Sequence, residues 1–247
     1  MRIATYNIWN DESLPRRLPL LIDTIRKTDA DIIALQEVPS SVYDAAAPLY
    51  PHSAYAQHPG EDEGLAILSR YPIIRRKWLH GTADALHVLI DADHKQISLA
   101  NVHLPWQSIL AREKQIVALS NDLGAVEADH RFLLGDFNGS GESSVHRYLV
   151  GDQSLLGSEC APVWIDIAGN FAKLHGIAHP PTLDTIENPR WKGKNALYAP
   201  QTMDRIYLRD SWNAVSIDHA AVFGTEIDPQ TGLCPSDHYG VLADITF

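Results

Sequence analysis

The chain has 247 residues, 45% of them hydrophobic, and a formal net charge of −11 at pH 7. This length is sufficient to bury a full core, and no apolar run approaches the roughly 20 residues that a membrane-spanning helix needs. The composition therefore predicts a soluble globular protein and excludes a helical membrane protein.

The sequence shows no linker, internal repeat or low-complexity tract, so residues 1–247 are expected to form one domain. A strand-like segment, rather than a signal peptide, follows Met1. Cys160 and Cys234 are too few for a disulfide framework and lack metal-site spacing. A monomer in the cytoplasm is the default expectation.

The negative net charge bears on the class of partner. Proteins that hold long nucleic acids present a basic surface, so extended nucleic-acid binding is not expected of this chain. Its short basic runs, residues 16–17 and 75–77, are interpreted as solvated faces. An acidic surface near clustered carboxylates fits a divalent cation, which would supply the positive charge that a phosphate substrate needs.

The first part of the chain predicts alternating strands and helices. Residues 2–7 form an alternating strand, residues 16–27 carry apolar side chains at helical spacing, and residues 31–35 form an apolar strand. Further strands are predicted at 64–69 and 87–90, with a turn at Tyr71 and Pro72 between them. Strand, helix and strand in this order form the unit from which helix-covered sheets are built.

The same unit recurs in the middle of the chain, as a strand at 97–102, a helix at 108–123 and an apolar strand beginning at Phe132. Between 139 and 200 the signals weaken, and substrate loops are expected there. The remaining predictions are two short helices, 145–149 and 162–174, and three strands, 204–209, 214–218 and 239–247. The fold class is α/β, with packed sheets and outer helices.

Polar side chains stand at the ends of five of these strands. They are Asn7, Glu37, His103, Asp136 with Asn138, and Asp237 with His238. Singly, each has a structural explanation as a turn former, a helix acid or a histidine at the edge of the core. Because Asp136 and Asn138 are two residues apart on an extended segment, they point to the same face and could grip one substrate. Because polar side chains stand at five strand ends, we favour the interpretation that they form one common site.

These residue types fit metal-assisted hydrolysis of a phosphoester. Glu37 is the best candidate ligand of Mg²⁺, with Asn7 and Asp237 near it. Asp136 suits proton transfer, Asn138 would fix an oxygen, and His103 and His238 suit stabilisation of negative charge, with Asp237 able to orient a histidine. A serine hydrolase is disfavoured because no Gly-x-Ser-x-Gly motif is present, and a zinc enzyme because the histidines lack the spacing.

Five motifs, in this order, resemble the endonuclease/exonuclease/phosphatase superfamily: Tyr6-Asn7, Leu35-Gln36-Glu37, Asn101-Val102-His103-Leu104, Gly135-Asp136-Phe137-Asn138 and Ser236-Asp237-His238. The resemblance implies a four-layer αββα sandwich, with two packed mixed β-sheets flanked by helices, and a phosphoesterase that uses Mg²⁺ or Mn²⁺. Residues 35–39, 182–185 with 203–209, and 235–242 are most similar to the tyrosyl-DNA phosphodiesterase 2 branch.

The resemblance also implies roles for individual residues. Glu37 binds the metal, Asp136 is the catalytic acid or base, and His238 stabilises the transition state. Asn7, His103 and Asn138 contact the phosphate, and Asp204 is structural or supports the site.

The chain departs from the branch at two places. The branch has an arginine soon after the His-Leu motif and another after Gly-Asp-x-Asn, whereas this chain has residues 105–108 and 139–141 without arginine. Trp106 and Trp191 could stack a base or an aromatic leaving group, or could simply pack.

The expected activity is a Mg²⁺-dependent phosphodiesterase in which water attacks in line, with a nucleotide, a nucleic-acid end or a phosphotyrosyl-DNA-like substrate. The alternatives are an inositol or lipid-head phosphoesterase of the same superfamily and an inactive binding module on the same fold.

Overall fold

The computed structural model describes residues 1–11, 13–79, 84–159, 164–192, 198–209 and 215–247. These residues contain twelve strands and five α-helices. The strands are β1 Arg2–Asn7, β2 Ile32–Val38, β3 His52–Gln57, β4 Gly64–Ser69, β5 Ile73–Leu79, β6 Ala85–Ala92, β7 Lys95–His103, β8 His130–Asp136, β9 Trp164–Asp166, β10 Asp204–Arg209, β11 Ser216–Phe223 and β12 Gly240–Thr246. The helices are α1 Leu14–Thr28, α2 Ser40–Ala46, α3 Ile109–Gly124, α4 Ser144–Leu149 and α5 Ile167–His175.

The strands form two six-stranded sheets. The order is β11-β12-β1-β2-β4-β3 in the first sheet and β5-β6-β7-β8-β10-β9 in the second. Each sheet has one parallel pair, β1 with β2 and β7 with β8, and its other neighbours are antiparallel. The carboxyl ends of a parallel pair meet at one sheet edge. Asn7 and His103 end β1 and β7, and Asp136 ends β8.

Three apolar clusters join the layers. Ile32 and Ile3 of the first sheet pack with Leu99 and Phe132 of the second in the central cluster. The outer face of the first sheet packs on α1 and α2, through residues such as Leu21, and that of the second packs on α3 and α4. The predicted four-layer αββα sandwich is confirmed. Helix α5 contacts both β10 and β11.

A buried polar network links the two sheets beneath the site. Asn101 Nδ2 donates to the carbonyls of Leu35 (2.8 Å) and Ala66 (3.0 Å), and Gln36 Nε2 donates to Asn101 Oδ1 at 2.6 Å. Asn101 is on the second sheet and its partners are on the first. These bonds fix the relative position of the strand ends that carry the polar side chains.

Most predicted elements are present, but the prediction of one helix over 162–174 is wrong in part. Trp164–Asp166 is a strand, and α5 begins only at Ile167, where Asp166 caps it by accepting from Gly169 N at 3.2 Å. Residues 162 and 163 of this predicted helix lie outside the described residues. Cys160 and residue 214, where the strand predicted over 214–218 begins, also lie outside them. Strands β3 and β5 and helix α2 were not predicted. Within the described ranges, none of the helices has the length and apolarity to cross a membrane.

Candidate active site

Asp136 lies at the centre of the polar residues. It ends β8, where it pairs in register with His103 of β7 on one side and with Asp204 of β10 on the other. The residue is 1% exposed. Burial disfavours its charged form, but His238, His103 and the hydrogen bonds from Asn138 and Asn7 together lower the pKa of Asp136 below its usual value. Asp136 is therefore ionised at neutral pH.

Asn7 bridges two carboxylates. Its Nδ2 donates to Glu37 Oε1 at 2.9 Å and to Asp136 Oδ2 at 3.0 Å, while its Oδ1 accepts from Trp9 N at 3.0 Å. The amide nitrogen, rather than the oxygen, thus faces the acids. A ligand role for the Asn7 oxygen would require the amide to turn over; as placed, Asn7 holds Glu37 and Asp136 in position.

Glu37 owes its direction to a β-bulge. The register between β2 and β4 shifts between Leu35 and Val38, and Glu37 has a φ of 56°, in the left-handed region. A bulge of this kind re-aims a side chain, and the strained conformation is typical of functional positions. The Glu37 Oε2 accepts from Asn10 N at 3.0 Å, and its side chain remains 19% exposed.

His238 forms a buried pair with Asp204. Its Nδ1 lies 2.8 Å from Asp204 Oδ2 and 4.0 Å from Asp136 Oδ2. Burial alone would favour a neutral imidazole, but the carboxylates of Asp204 and Asp136 raise the pKa of His238 well above its ordinary value. Thr182 Oγ1 accepts from Asp204 N at 3.0 Å, which places the loop before β10 against this pair.

His103 and Asn138 border Asp136. His103 Nε2 lies 3.7 Å from both Glu37 Oε1 and Asp136 Oδ2. Asn138 has a φ of 47°; its backbone N donates to Asp136 Oδ1 at 2.7 Å and its Nδ2 donates to the carbonyl of Leu104 at 2.8 Å. Asn138 thus orients Asp136 and ties it to the loop after β7.

Asp237 adds a further buried acid, 7% exposed. Burial raises the pKa of Asp237 to about 6, and the negative charges of Glu37 and Asp136 act in the same direction against the opposing effect of His238. Four carboxylates, those of Glu37, Asp136, Asp204 and Asp237, therefore share one site with His103 and His238. Such a concentration of carboxylate oxygens suits a divalent cation.

The sequence profile of the Endonuclease/Exonuclease/phosphatase family matches residues 4–238. The chain belongs to this family. It is thereby a phosphoester hydrolase. A comparison with curated protein sequences gave no significant match.

Solved structures of the family share the fold. A D. rerio TDP2 with 14 humanizing mutations has a TM-score of 0.77 at 20% identity, covering 100% of this chain and 99% of that one. Truncated Caenorhabditis elegans TDP2 has a TM-score of 0.75 at 18% identity, covering 100% and 97%. A mannosyl-6-phosphatase of Bacteroides thetaiotaomicron has a TM-score of 0.72 at 18% identity, covering 100% of both chains.

The two tryptophans that were predicted to stack on a substrate have different surroundings in the structure. Trp106 is 69% exposed and lines a cavity of about 360 Å³ together with Glu37 and His103. The half-buried Trp191 instead donates its Nε1–H to the carbonyl of Asp237 at 2.8 Å, which fixes the loop that carries Asp237 and His238. A larger cavity of about 690 Å³ lies beside α4 and α5, and none of the predicted site residues lines it.

Sequence reasoning missed the arginines behind the site, and the interpretation of Arg17 as part of a solvated face is wrong. Arg17 is 4% exposed and donates to the carbonyls of Ile8 (2.6 Å) and Pro235 (2.8 Å). The guanidinium carbons of Arg17 and Arg190 lie 5.4 and 5.2 Å from the centroid of the Trp9 ring. Arg17 also pairs with the nearby Asp11, at 3.0 Å between Nη2 and Oδ1, but the local sequence does not mark Arg17 as buried because the carbonyl of Pro235 comes from a distant segment.

Proposed function

We propose that this family member is a phosphodiesterase dependent on Mg²⁺ or Mn²⁺. It acts as one catalytic domain, either on a small phosphoester or on a phosphoester at the end of a larger molecule. The observation that carries the proposal is the opposite charge of two neighbouring side chains, Asp136 and His238. Asp136 is held ionised, and the buried His238 is held protonated, with 4.0 Å between His238 Nδ1 and Asp136 Oδ2. One group can accept a proton while the other stabilises negative charge, as hydrolysis of a phosphoester requires.

Asp136 accepts the proton of the attacking water in this proposal. Its two oxygens already accept from Asn7 Nδ2 and Asn138 N, so the carboxylate is held in one orientation before substrate arrives. The protonated His238, oriented by Asp204, stabilises the charge that develops on the phosphoryl oxygens. His103 faces the same carboxylates and is suited to contact the phosphate.

The cation belongs at Glu37, with Asp237 close by. When bound there it would neutralise the non-bridging phosphate oxygens. Asp136, Asp204 and His238 also offer three ligand atoms within 4.8 Å of one another. We favour Glu37 because a metal on the second set would break the 2.8 Å contact between His238 and Asp204, and because Glu37 opens onto the cavity.

Turnover of bis-p-nitrophenyl phosphate, with Mg²⁺, with Mn²⁺ and with chelator, tests the proposal. We expect activity only with metal and a loss of roughly 10²- to 10⁴-fold in kcat for Asp136→Asn, since it removes the proton acceptor. Glu37→Gln should raise the Mg²⁺ concentration needed for half-maximal rate. Glu142→Gln, on an exposed loop, is the matched control and should change neither quantity. Absence of metal-dependent turnover would favour an inactive binding module.

A further inference from the structure

We propose that the cavity beside Glu37 and His103 binds an uncharged, hydroxyl-rich ring, such as a hexose, attached to the phosphoester. This inference rests on the proposed function, since it names the substrate group beside the scissile phosphate. The cavity, of about 360 Å³, is bordered by the loop between β3 and β4 and by the loop that follows β7. Because Glu37 and His103 line it, a bound group there is contiguous with the candidate active site.

The charge of the cavity excludes a polyanion. Its lining includes four carboxylates, those of Glu37, Glu61, Glu63 and Asp84, and among the described residues no lysine or arginine lines it. Another phosphate of an oligonucleotide would meet like charges here, whereas a hydroxyl can donate to each carboxylate oxygen.

Trp106 supplies a flat apolar surface at the cavity. It is 69% exposed, and its loop is held in place by Arg112 of α3, whose guanidinium donates to the carbonyls of Pro105 (3.1 Å) and Trp106 (2.9 Å). The backbone that carries Trp106 is thus held in place before a ligand binds, and the apolar face of a sugar ring can cover the indole. Arg112 is committed to these carbonyls and brings no cation into the cavity lining.

The remaining polar groups of the cavity can also bind hydroxyls. Gln107 and Gln115 supply neutral hydrogen-bonding groups among the acids, and the buried Gln115 Oε1 has no hydrogen-bond partner within the described ranges. A quaternary ammonium group needs several aromatic faces around it, and Trp106 is the one tryptophan, tyrosine or phenylalanine among the described lining residues.

Four p-nitrophenyl phosphodiesters that share one leaving group test the inference. Their second groups are hexopyranose joined through O6, methyl, thymidine joined through O5′, and 2-aminoethyl. Because the scissile bond is the same in all four esters, differences in kcat/KM measure the contribution of the second group. We expect kcat/KM for the hexose ester to exceed that of the methyl ester by about tenfold or more, and to exceed those of the other two esters.

Variants of residues that line the cavity test whether the preference for the hexose ester arises there. Trp106→Ala and Glu61→Gln should lower the ratio of kcat/KM between the hexose and methyl esters towards one, whereas Ile109→Ala, which removes another exposed apolar side chain close by, should preserve it. Equal rates for all four esters, or preference for the thymidine or aminoethyl ester, would overturn the inference and leave the proposed function standing. Metal-dependent turnover of none of them would overturn both.

Discussion

Asp204 shows how one buried carboxylate determines the charge of its neighbour. It is fully buried, its Oδ2 contacts His238, and its Oδ1 has no hydrogen-bond partner within the described ranges. A buried carboxylate is costly unless a charge compensates for it, and the protonated imidazole does so. The pair is therefore one acid–base unit, and the proposed role of His238 depends on Asp204.

Asp204→Asn should lower kcat by roughly 10²-fold or more with little change in KM. The amide has nearly the shape of the carboxylate but does not stabilise an imidazolium, so charge stabilisation in the transition state is lost while substrate binding is not. The measurement is steady-state kinetics on bis-p-nitrophenyl phosphate, with urea unfolding to verify the fold. A rise in KM at constant kcat would contradict this role.

His87, away from the candidate site, provides a test of stability against pH. It lies on β6, is 7% exposed, and its Nε2 is 2.8 Å from Ser98 Oγ. Burial, assisted by Arg75 and Lys77, lowers the pKa of His87 to about 4 from an ordinary value of 6.5. The unfolded chain therefore binds a proton more readily between these two values. Stability contributed by neutral His87 is fully present above pH 6.5 and is lost as pH falls towards 4.

The free energy of unfolding should thus fall by about 2 kcal/mol between pH 7 and pH 5 through His87 alone. His87→Gln keeps a polar group towards Ser98 but does not titrate. The free energy of unfolding of this variant should therefore fall by about 2 kcal/mol less between pH 7 and pH 5 than that of the unmodified protein. Urea unfolding at both pH values measures this. His94→Asn, in the exposed turn between β6 and β7, is the control and should behave as the unmodified protein does.

At the scale of elements, the close approach of β7 and β8 positions Asp136. Gly135 has a φ of 139°, and a Cβ there would lie 2.0 Å from the carbonyl oxygen of Val102. The next residue on each strand is a site residue, His103 and Asp136, which form a register pair. Only glycine permits this approach.

Gly135→Ala should destabilise the protein by about 3 kcal/mol or more, because backbone strain adds to a steric overlap with backbone atoms. It should also lower kcat by displacing Asp136. Gly60→Ala is the matched control: Gly60 has a φ of 80° but nothing within 4 Å of the added Cβ, so only the cost of the left-handed conformation, about 1 kcal/mol, is expected. Equal losses in the two variants by urea unfolding would contradict the steric argument.

The elements also show which parts of the structure are readable from sequence. Apolar periodicity predicts α1 and α3, because each helix buries one continuous face, and apolar segments predict both parallel strand pairs, whose strands are buried on both faces. Strand β5 was not predicted, since residues 74–77 are exposed and carry the basic run. The strand ends predict which side chains share an edge. The bulge that turns Glu37, and the amide orientation of Asn7, depend on partners distant in sequence and leave no local pattern.

At the scale of the whole molecule, the candidate site draws on segments from Asn7 to His238, which explains why the family profile spans residues 4–238. The net charge of this chain, −11, and its acidic cavity oppose a polyanionic partner. Electrostatics thus opposes a nucleic-acid substrate, and binding of DNA can be measured without catalysis.

We expect Asp136→Asn, used to suppress cleavage, to bind a duplex oligonucleotide with a Kd weaker than about 10⁻⁴ M at roughly 0.15 M salt, as judged by fluorescence anisotropy. Affinity for DNA comes largely from release of counterions by basic side chains, and a strongly acidic chain gains little from this release. Log Kd should accordingly vary little with log salt concentration. A micromolar Kd that weakens steeply as salt is added would show a basic binding track, and would return a nucleic-acid end to the leading substrate class.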